Sequence, residues 1–230
     1  MRIAICLPTK GRPAQMKKRV NDLILQPLPD GVDLILSLAV IRDDTETLRA
    51  VNEVIDQWYD SDVTVLLTFR ESGSTAVDGW NRAYNAVADI CDWFVLGADD
   101  LIWADGWLEA AMELFAAGEV IGLNDTHTDL NQYAPHYMAS AAFCRDVLGG
   151  CLVPPIYRSW WFDREVCEIA QSFGVYVPGW GVIVAHTHPD WKTAEMDDIY
   201  SQARPLHDAD RALYLRRQRL GFPAVKGNES

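Results

Sequence analysis

The sequence predicts one α/β domain with a mostly parallel central sheet, of the Rossmann-like kind, and helices on both faces. Its 230 residues suit a single domain, and 49% hydrophobic residues are enough to form a full core. In the first 125 residues, short apolar runs alternate with amphipathic segments, which is the pattern of strands joined by helical crossovers. Polar clusters directly follow several of the apolar runs, and this is typical of the ligand-binding edge of such sheets.

Four strands and three helices are predicted in the first half. The strands are apolar runs that end at turn residues, and they cover residues 3–7, 32–41, 63–69 and 93–96. The helices have apolar residues at helical spacing, and they cover residues 13–25, 45–58 and 78–89. Pro13 suits the start of the first helix because its fixed φ angle fits the first helical turn.

The second half is less regular, but no linker separates it from the first. Helices are predicted at residues 107–117, 161–173 and 208–220. Strands are predicted at residues 120–123 and 182–188, with a further apolar stretch at 137–143. We therefore expect a single domain over residues 1–225, followed by a flexible tail at 226–230.

Charge and composition disfavour several classes of partner and location. With 33 acidic and 20 basic residues the net charge is −13, so a nucleic-acid partner is disfavoured because its phosphates would be repelled. No apolar run is long enough for a membrane span, and the first residues lack the features of a signal peptide. The five cysteines form no CxxC pair, which is typical of free thiols in a reducing compartment. We expect a cytoplasmic protein.

Three polar clusters follow predicted strands and should converge on one site. The carboxyl ends of parallel strands meet at the same edge of a sheet, where ligands bind. The clusters are Thr9, Lys10 and Arg12 after the first strand, Asp43 and Asp44 after the second, and Asp99 and Asp100 after the fourth.

Two of the later motifs have the chemistry of metal ligands. Asp99 and Asp100 would repel each other unless a cation or hydrogen-bond donors lie between them, and carboxylates suit Mg²⁺ or Mn²⁺. The simpler alternative is that Asp99 caps a turn while Asp100 is solvated. His186 and His188 would share one face of a strand and offer two imidazoles, although one core and one surface histidine is an equal alternative. No HExxH motif or Cys/His quartet indicates zinc.

Asp163 is the candidate general base. It follows three aromatic residues, and desolvation beside them would raise its proton affinity towards a useful range. It would also suit the first turn of the predicted helix, and the two roles are compatible. Arg164 and Glu165 are expected to form a solvated helix face. The sequence contains no phosphate loop, dinucleotide fingerprint or GxSxG elbow, which disfavours ATP hydrolysis, NAD chemistry and α/β-hydrolase chemistry.

Four segments together resemble a known family in order and spacing over residues 2–190. They are ICLPTKGRP, the acids Asp43 and Asp44, GSTAVDGWNRAYNAVADICDWFVLGADDLIWADGWLE, and VIVAHTHP. They are similar to GT-A fold glycosyltransferases of the family 2 type. The resemblance implies a transferase that moves a sugar from a UDP- or GDP-sugar donor to an unknown acceptor hydroxyl, with inversion of configuration. It also implies a Mn²⁺ or Mg²⁺ cofactor.

The resemblance assigns roles to residues of this sequence. Pro8, Thr9 and Arg12 would line the nucleotide pocket, and Asp43 or its neighbour Asp44 would hydrogen-bond the base. Residues 1–125 would form the nucleotide-sugar-binding half, and residues 126–225 the acceptor half.

The remaining roles concern the metal and the reaction. Asp99 would face the ribose or the metal, Asp100 would bind the metal, and His186 would be a further metal ligand, with His188 as its alternative. Asp163 would be the catalytic base on the acceptor side.

The sequence departs from the family pattern at Gly97, where the first acid of the usual DxDD motif is missing, and at the donor-side acids, which stand as RDDTE. Two alternative functions therefore stay open. One is a nucleotidyltransferase that forms a sugar nucleotide, which the single glycine of PTKGRP disfavours. The other is a nucleotide-sugar-binding protein without catalytic activity.

Overall fold

The computed structural model describes residues 1–224, which contain an eight-stranded sheet and eight α-helices. The strands are β1 (Arg2–Thr9), β2 (Asp33–Ile41), β3 (Val63–Arg70), β4 (Trp93–Leu96), β5 (Leu101–Trp103), β6 (Val120–Asn124), β7 (Tyr137–Ser140) and β8 (Tyr176–His186). The helices are α1 (Pro13–Ile24), α2 (Thr45–Gln57), α3 (Ala76–Asn85), α4 (Trp107–Met112), α5 (Ala141–Asp146), α6 (Phe162–Ser172), α7 (Asp198–Ala203) and α8 (His207–Arg219). The expected tail at 226–230 lies outside the described residues.

The sheet has the strand order β3-β2-β1-β4-β7-β6-β8-β5. Strands β3, β2, β1 and β4 are parallel neighbours, and β6 is parallel to β8. The antiparallel pairs are β4 with β7, β7 with β6, and β8 with β5. The predicted α/β class with a mostly parallel sheet is therefore confirmed.

Helices cover both faces of the sheet, and alternate residues of β1 point to these opposite faces. Ile3, Ile5 and Leu7 are fully buried in one apolar cluster, which includes residues of α1, α2 and α4. Ala4 and Cys6 are fully buried in a second cluster, formed with α3, α5, α6 and α8. The near-continuous apolar run of β1 is the consequence of burial on both faces.

Several predicted boundaries were wrong in the second half. The helix predicted at 107–117 ends at Met112, and the apolar stretch at 137–143 divides into β7 and α5. The Ser140 side chain accepts a hydrogen bond from the Phe143 amide (3.0 Å) and so starts α5. Strand β8 begins six residues before its prediction and ends at His186, which leaves His188 in the following segment.

Two further features bear on the expectations about partners and compartment. Among residues 1–224 we find no helix with the length and apolar character that a bilayer crossing requires. All five cysteines are buried free thiols, as the sequence predicts.

Candidate functional site

A cavity of about 440 Å³ lies at the carboxyl ends of β1, β4 and β8, with α6 and α7 as its other walls. Ligands of open α/β sheets bind at this edge because the loops after the strands diverge there. Eight candidate site residues from the sequence line the cavity: Pro8, Lys10, Arg12, Asp99, Asp100, Asp163, His186 and His188. The structure thus brings together side chains that lie far apart in the sequence.

Asp99 is buried and both of its carboxylate oxygens are hydrogen-bonded. Thr9 donates its hydroxyl to one oxygen (2.8 Å), and the Arg12 guanidinium donates to the other (3.1 Å). Burial, and then the charge of the neighbouring Asp100, raise the pKa of Asp99 above its ordinary value. Thr9 is itself buried behind Asp99 and does not line the cavity, so it acts through this carboxylate.

Asp100 is the carboxylate with a free oxygen. Its Oδ2 accepts a hydrogen bond from the Tyr200 hydroxyl (2.9 Å) and lies 3.5 Å from Nε2 of His186. Its Oδ1 is buried without any hydrogen-bond partner in the described chain. Burial alone would raise the pKa of Asp100, but His186 and Tyr200 favour the charged form and hold the pKa well below its ordinary value.

Three histidines stand close together beside Asp100. Burial would lower the pKa of His186, but the adjacent Asp100 carboxylate raises it above its ordinary value. His136 meets the His186 ring edge-on at 5.0 Å, and burial, with repulsion from His186, lowers the pKa of His136 to about 4. The ring centre of His188 lies 5.2 Å from that of His186, and its Nδ1 accepts a hydrogen bond from the Asp190 amide (3.2 Å). His186 is therefore the member that contacts the acidic pair.

Asp163 lies in the first turn of α6, beside the aromatic residues Trp161 and Tyr133 that also line the cavity. Its side chain is half-buried, and desolvation is the main cause that raises its pKa to about 6. Trp161, directly before α6, has a φ of +69°, a backbone conformation that is costly for a bulky residue. With its raised pKa, the Asp163 carboxylate can accept a proton near neutral pH.

The prediction of a solvated face for Arg164 and Glu165 was wrong. Glu165 is fully buried and forms an ion pair with Arg217 of α8 (2.7 Å). The Tyr157 hydroxyl donates to the same carboxylate (2.6 Å). The Arg164 guanidinium lies over the Tyr133 ring at 3.9 Å, and both residues line the cavity. A pattern of local charges did not reveal Glu165, because its partner lies 52 positions away in the sequence.

The donor-side acids reach the same edge of the sheet but do not line the cavity. Asp44 caps α2, and its carboxylate accepts the Gly11 amide (2.6 Å), which fixes the loop after β1. Burial would raise the pKa of Asp44, but hydrogen bonds from Thr47 and Gly11 lower it. Asp43 is exposed and accepts the Ser72 hydroxyl (2.5 Å).

Gly97, where the pattern of the resembled family has an acid, lies close against β1. A Cβ at this position would lie 2.6 Å from Cγ2 of Ile5 and 3.2 Å from the carbonyl oxygen of Cys6. The Gly97 carbonyl also accepts the indole N–H of Trp80 (2.6 Å). A side chain at position 97, directly after β4, would therefore require β1 to shift.

The helix α7 contributes site residues that sequence analysis missed. Tyr200 bonds Asp100, and Asp197, immediately before α7, bonds Arg12 through two contacts of 2.7 and 3.0 Å. Asp197 also caps α7 by accepting the Tyr200 amide (2.9 Å). The Asp-Asp pair at 197–198 before a short helical segment was the available signal, but its polar surroundings gave no apolar periodicity.

The residues present fit a divalent cation in part. Within residues 1–224, no three His, Cys, Asp or Glu side chains are grouped so that they alone could hold a metal ion. The free buried oxygen of Asp100 and the adjacent His186 imidazole are a donor pair that Mn²⁺ accepts. Mg²⁺ and Mn²⁺ sites of phosphate-transfer chemistry commonly use few protein ligands and complete their shell with substrate phosphates and water.

Comparison with solved structures identifies the fold. The chain resembles a mannosyltransferase from Pyrobaculum calidifontis, determined in complex with GDP-Man and Mn²⁺, with a TM-score of 0.69 at 12% identity. The match covers 98% of this chain and 66% of that one, so the chain spans just under two thirds of that protein's length. A Drosophila β1,4-galactosyltransferase 7 catalytic domain, in complex with xylobiose, matches 88% of this chain and 79% of its own at TM-score 0.48 and 10% identity. No family model and no curated protein matches the sequence. The chain has a GT-A-like glycosyltransferase fold.

Proposed function

We propose that this protein is a glycosyltransferase that moves a sugar from a nucleoside-diphosphate donor to an acceptor hydroxyl, with inversion at the anomeric carbon. The observation that carries the proposal is one cavity that joins an acidic pair, a histidine and a desolvated aspartate on a GT-A-like fold. Fold alone does not define activity, so the arrangement of these side chains is the stronger support. The mannosyltransferase bound to GDP-Man and Mn²⁺ suggests the class of donor and cofactor.

In this proposal the donor nucleotide lies at the sheet edge against Pro8 and Arg12. Thr9 and Asp99 form the wall behind it, and Asp43 or Asp44 is the candidate contact for the base. Asp100 and His186 would hold Mn²⁺ or Mg²⁺, which supplies positive charge for the leaving diphosphate. Both Asp99 oxygens already accept a hydrogen bond, whereas Asp100 has a buried oxygen without a partner, so Asp100 is the better candidate for the metal and Asp99 for the nucleotide side.

Asp163 accepts the proton of the acceptor hydroxyl. The acceptor oxygen forms a bond to the anomeric carbon as the bond from that carbon to the diphosphate oxygen breaks, and the proton ends on Asp163. Asp163 belongs to α6 and the acidic pair follows β4, and both line the cavity. A single displacement of this kind, without a covalent intermediate on the protein, inverts the configuration at the anomeric carbon.

The proposal is tested by ligand-induced stabilisation and turnover. UDP or GDP with Mn²⁺ should raise the melting temperature, and Asp100→Ala should remove the increase, while Asp105→Ala at an exposed position should keep it. UDP- and GDP-sugars should release nucleoside diphosphate in the presence of the right acceptor, and Asp163→Asn should abolish the release. No stabilisation by any nucleoside diphosphate with metal would contradict the proposal. Binding without turnover would favour the non-catalytic alternative, and pyrophosphate release from a nucleoside triphosphate and a sugar phosphate would favour the nucleotidyltransferase.

A further inference from the structure

The Arg12 guanidinium is held in the cavity wall by two carboxylates of unequal exposure. Its Nη1 donates to Asp99 (3.1 Å), and its Nε and Nη2 form a two-bond fork with Asp197 (2.7 and 3.0 Å). The Arg12 side chain is only 9% exposed, and that of Asp99 8%, whereas Asp197 is 39% exposed. Arg12 and Asp99 are thus fixed parts of the core edge, and Asp197 is the partner on the solvent side.

The helix that follows Asp197 lies on the surface and contacts the domain through hydrogen bonds and the ring of Tyr200. No residue of α7 is fully buried. Its hydrogen bonds include those of Tyr200 with Asp100 (2.9 Å), Lys10 with Gln202 (3.1 Å), and the Trp160 indole with the Ala203 carbonyl (2.9 Å). The Tyr200 ring also packs against the Arg12 guanidinium (4.2 Å) and the His188 ring (4.7 Å). When these hydrogen bonds break, water can replace the lost partners. Opening them therefore costs less free energy than separating a packed apolar face.

A guanidinium fork binds a carboxylate and a phosphate with the same planar two-bond geometry. The Asp197 carboxylate therefore occupies Arg12 in the way that two phosphate oxygens would. Lys10 also lines the cavity and, in a chain with a net charge of −13, adds a second positive charge beside Arg12.

We propose that Arg12 is the residue that binds the diphosphate of the ligand, and that Asp197 is its intramolecular competitor. The inference rests on the proposed function and deepens it. A diphosphate binds after the Arg12–Asp197 pair opens, so its observed affinity is the intrinsic affinity multiplied by the fraction of molecules in which Arg12 is unpaired. Weakening the pair should therefore strengthen the binding of any compact diphosphate.

The test measures binding by isothermal titration calorimetry with inorganic pyrophosphate, GDP and UDP, in a chelator so that metal does not contribute. In Asp197→Asn the cap of α7 is kept, because asparagine caps helices as well as aspartate, but the charge of the fork is lost. We expect pyrophosphate to bind about fivefold more tightly to this variant, in line with a partly exposed charged pair. Asp198→Asn is the matched control, since it removes the same charge from the adjacent exposed residue and should change binding less than twofold.

Arg12→Lys is the second variant, with its fold checked by circular dichroism and melting temperature. Lysine cannot form the fork, so we expect at least about tenfold weaker pyrophosphate binding. Unchanged affinity in Asp197→Asn would overturn the competition, and weaker affinity would instead make Asp197 a residue that positions Arg12. Unchanged affinity in Arg12→Lys would overturn the role of Arg12.

The outcomes separate this inference from the proposed function. Pyrophosphate binding that follows Arg12 and Asp197, without binding of GDP or UDP with or without Mn²⁺, would contradict the nucleoside-diphosphate donor and leave the inference standing. GDP or UDP binding that is unchanged in both the Asp197 and the Arg12 variants would overturn the inference and leave the nucleoside-diphosphate donor standing. Absence of binding for all three ligands would contradict both.

Discussion

Replacement of Asp163 by asparagine should make the protein more stable while it removes the proposed base. The Asp163 carboxyl is placed among aromatic side chains, and desolvation raises its pKa from 3.8 to about 6. A carboxyl with a higher pKa in the folded state binds more protons when folded than when unfolded. The folded protein therefore loses stability as the pH rises from about 4 to about 6, and it does not regain it above that range.

The size of the effect follows from the pKa change. A rise from 3.8 to about 6 corresponds to about 3 kcal/mol of destabilisation once the group is ionised. The side chain borders the cavity and is only half-buried, so solvent screening reduces this value. We expect Asp163→Asn to gain about 1.5 kcal/mol in the free energy of unfolding at pH 8. At pH 5, between the two pKa values, about half of that gain should remain.

Urea unfolding of wild type and Asp163→Asn at pH 5 and pH 8 measures the prediction. Asp198→Asn is the control, because an exposed acid in the first turn of α7 is favoured by the helix dipole, and its loss should cost about 0.3–0.5 kcal/mol. The two variants should thus change stability in opposite directions. A less stable Asp163→Asn at pH 8, or a gain that is equal at both pH values, would refute the desolvation of Asp163.

Three other predictions concern the pH dependence of the reaction and the packing around the site. The kcat/KM of the transferase should rise with pH through about 6, because Asp163 must be deprotonated to act as the base, and a flat profile from pH 5 to 8 would exclude it. Glu165→Gln should lower the free energy of unfolding by about 2–4 kcal/mol in urea titrations, because Arg217 would keep a buried charge without its partner; a loss below 1 kcal/mol would contradict this. Gly97→Ala should cost about 1–3 kcal/mol in the same assay, since its Cβ would meet Ile5 at 2.6 Å, and a neutral effect would show that β1 moves freely.

The fold and the sheet edge of the site could be predicted because both depend on local patterns. Apolar runs of β1 to β4 are buried on both faces and end in polar residues, so periodicity alone gives their positions and their common edge. The nearness of Asp99 to the loop that carries Arg12 follows from that topology.

The other wall of the site could not be predicted, because it depends on pairs distant in sequence. Tyr200 meets Asp100, and Asp197 meets Arg12, across 100 and 185 positions in polar segments with no apolar periodicity. Strand β5 has three residues, too few for a periodic pattern to identify.

The most direct test is a crystal structure of the protein with GDP or UDP and Mn²⁺, with anomalous scattering recorded at the manganese edge. We predict one manganese peak within coordination distance of Asp100 and His186, with the diphosphate between that peak and Arg12. A nucleotide bound outside the cavity, or manganese bound away from Asp100 in crystals that hold the nucleotide, would contradict the proposed site.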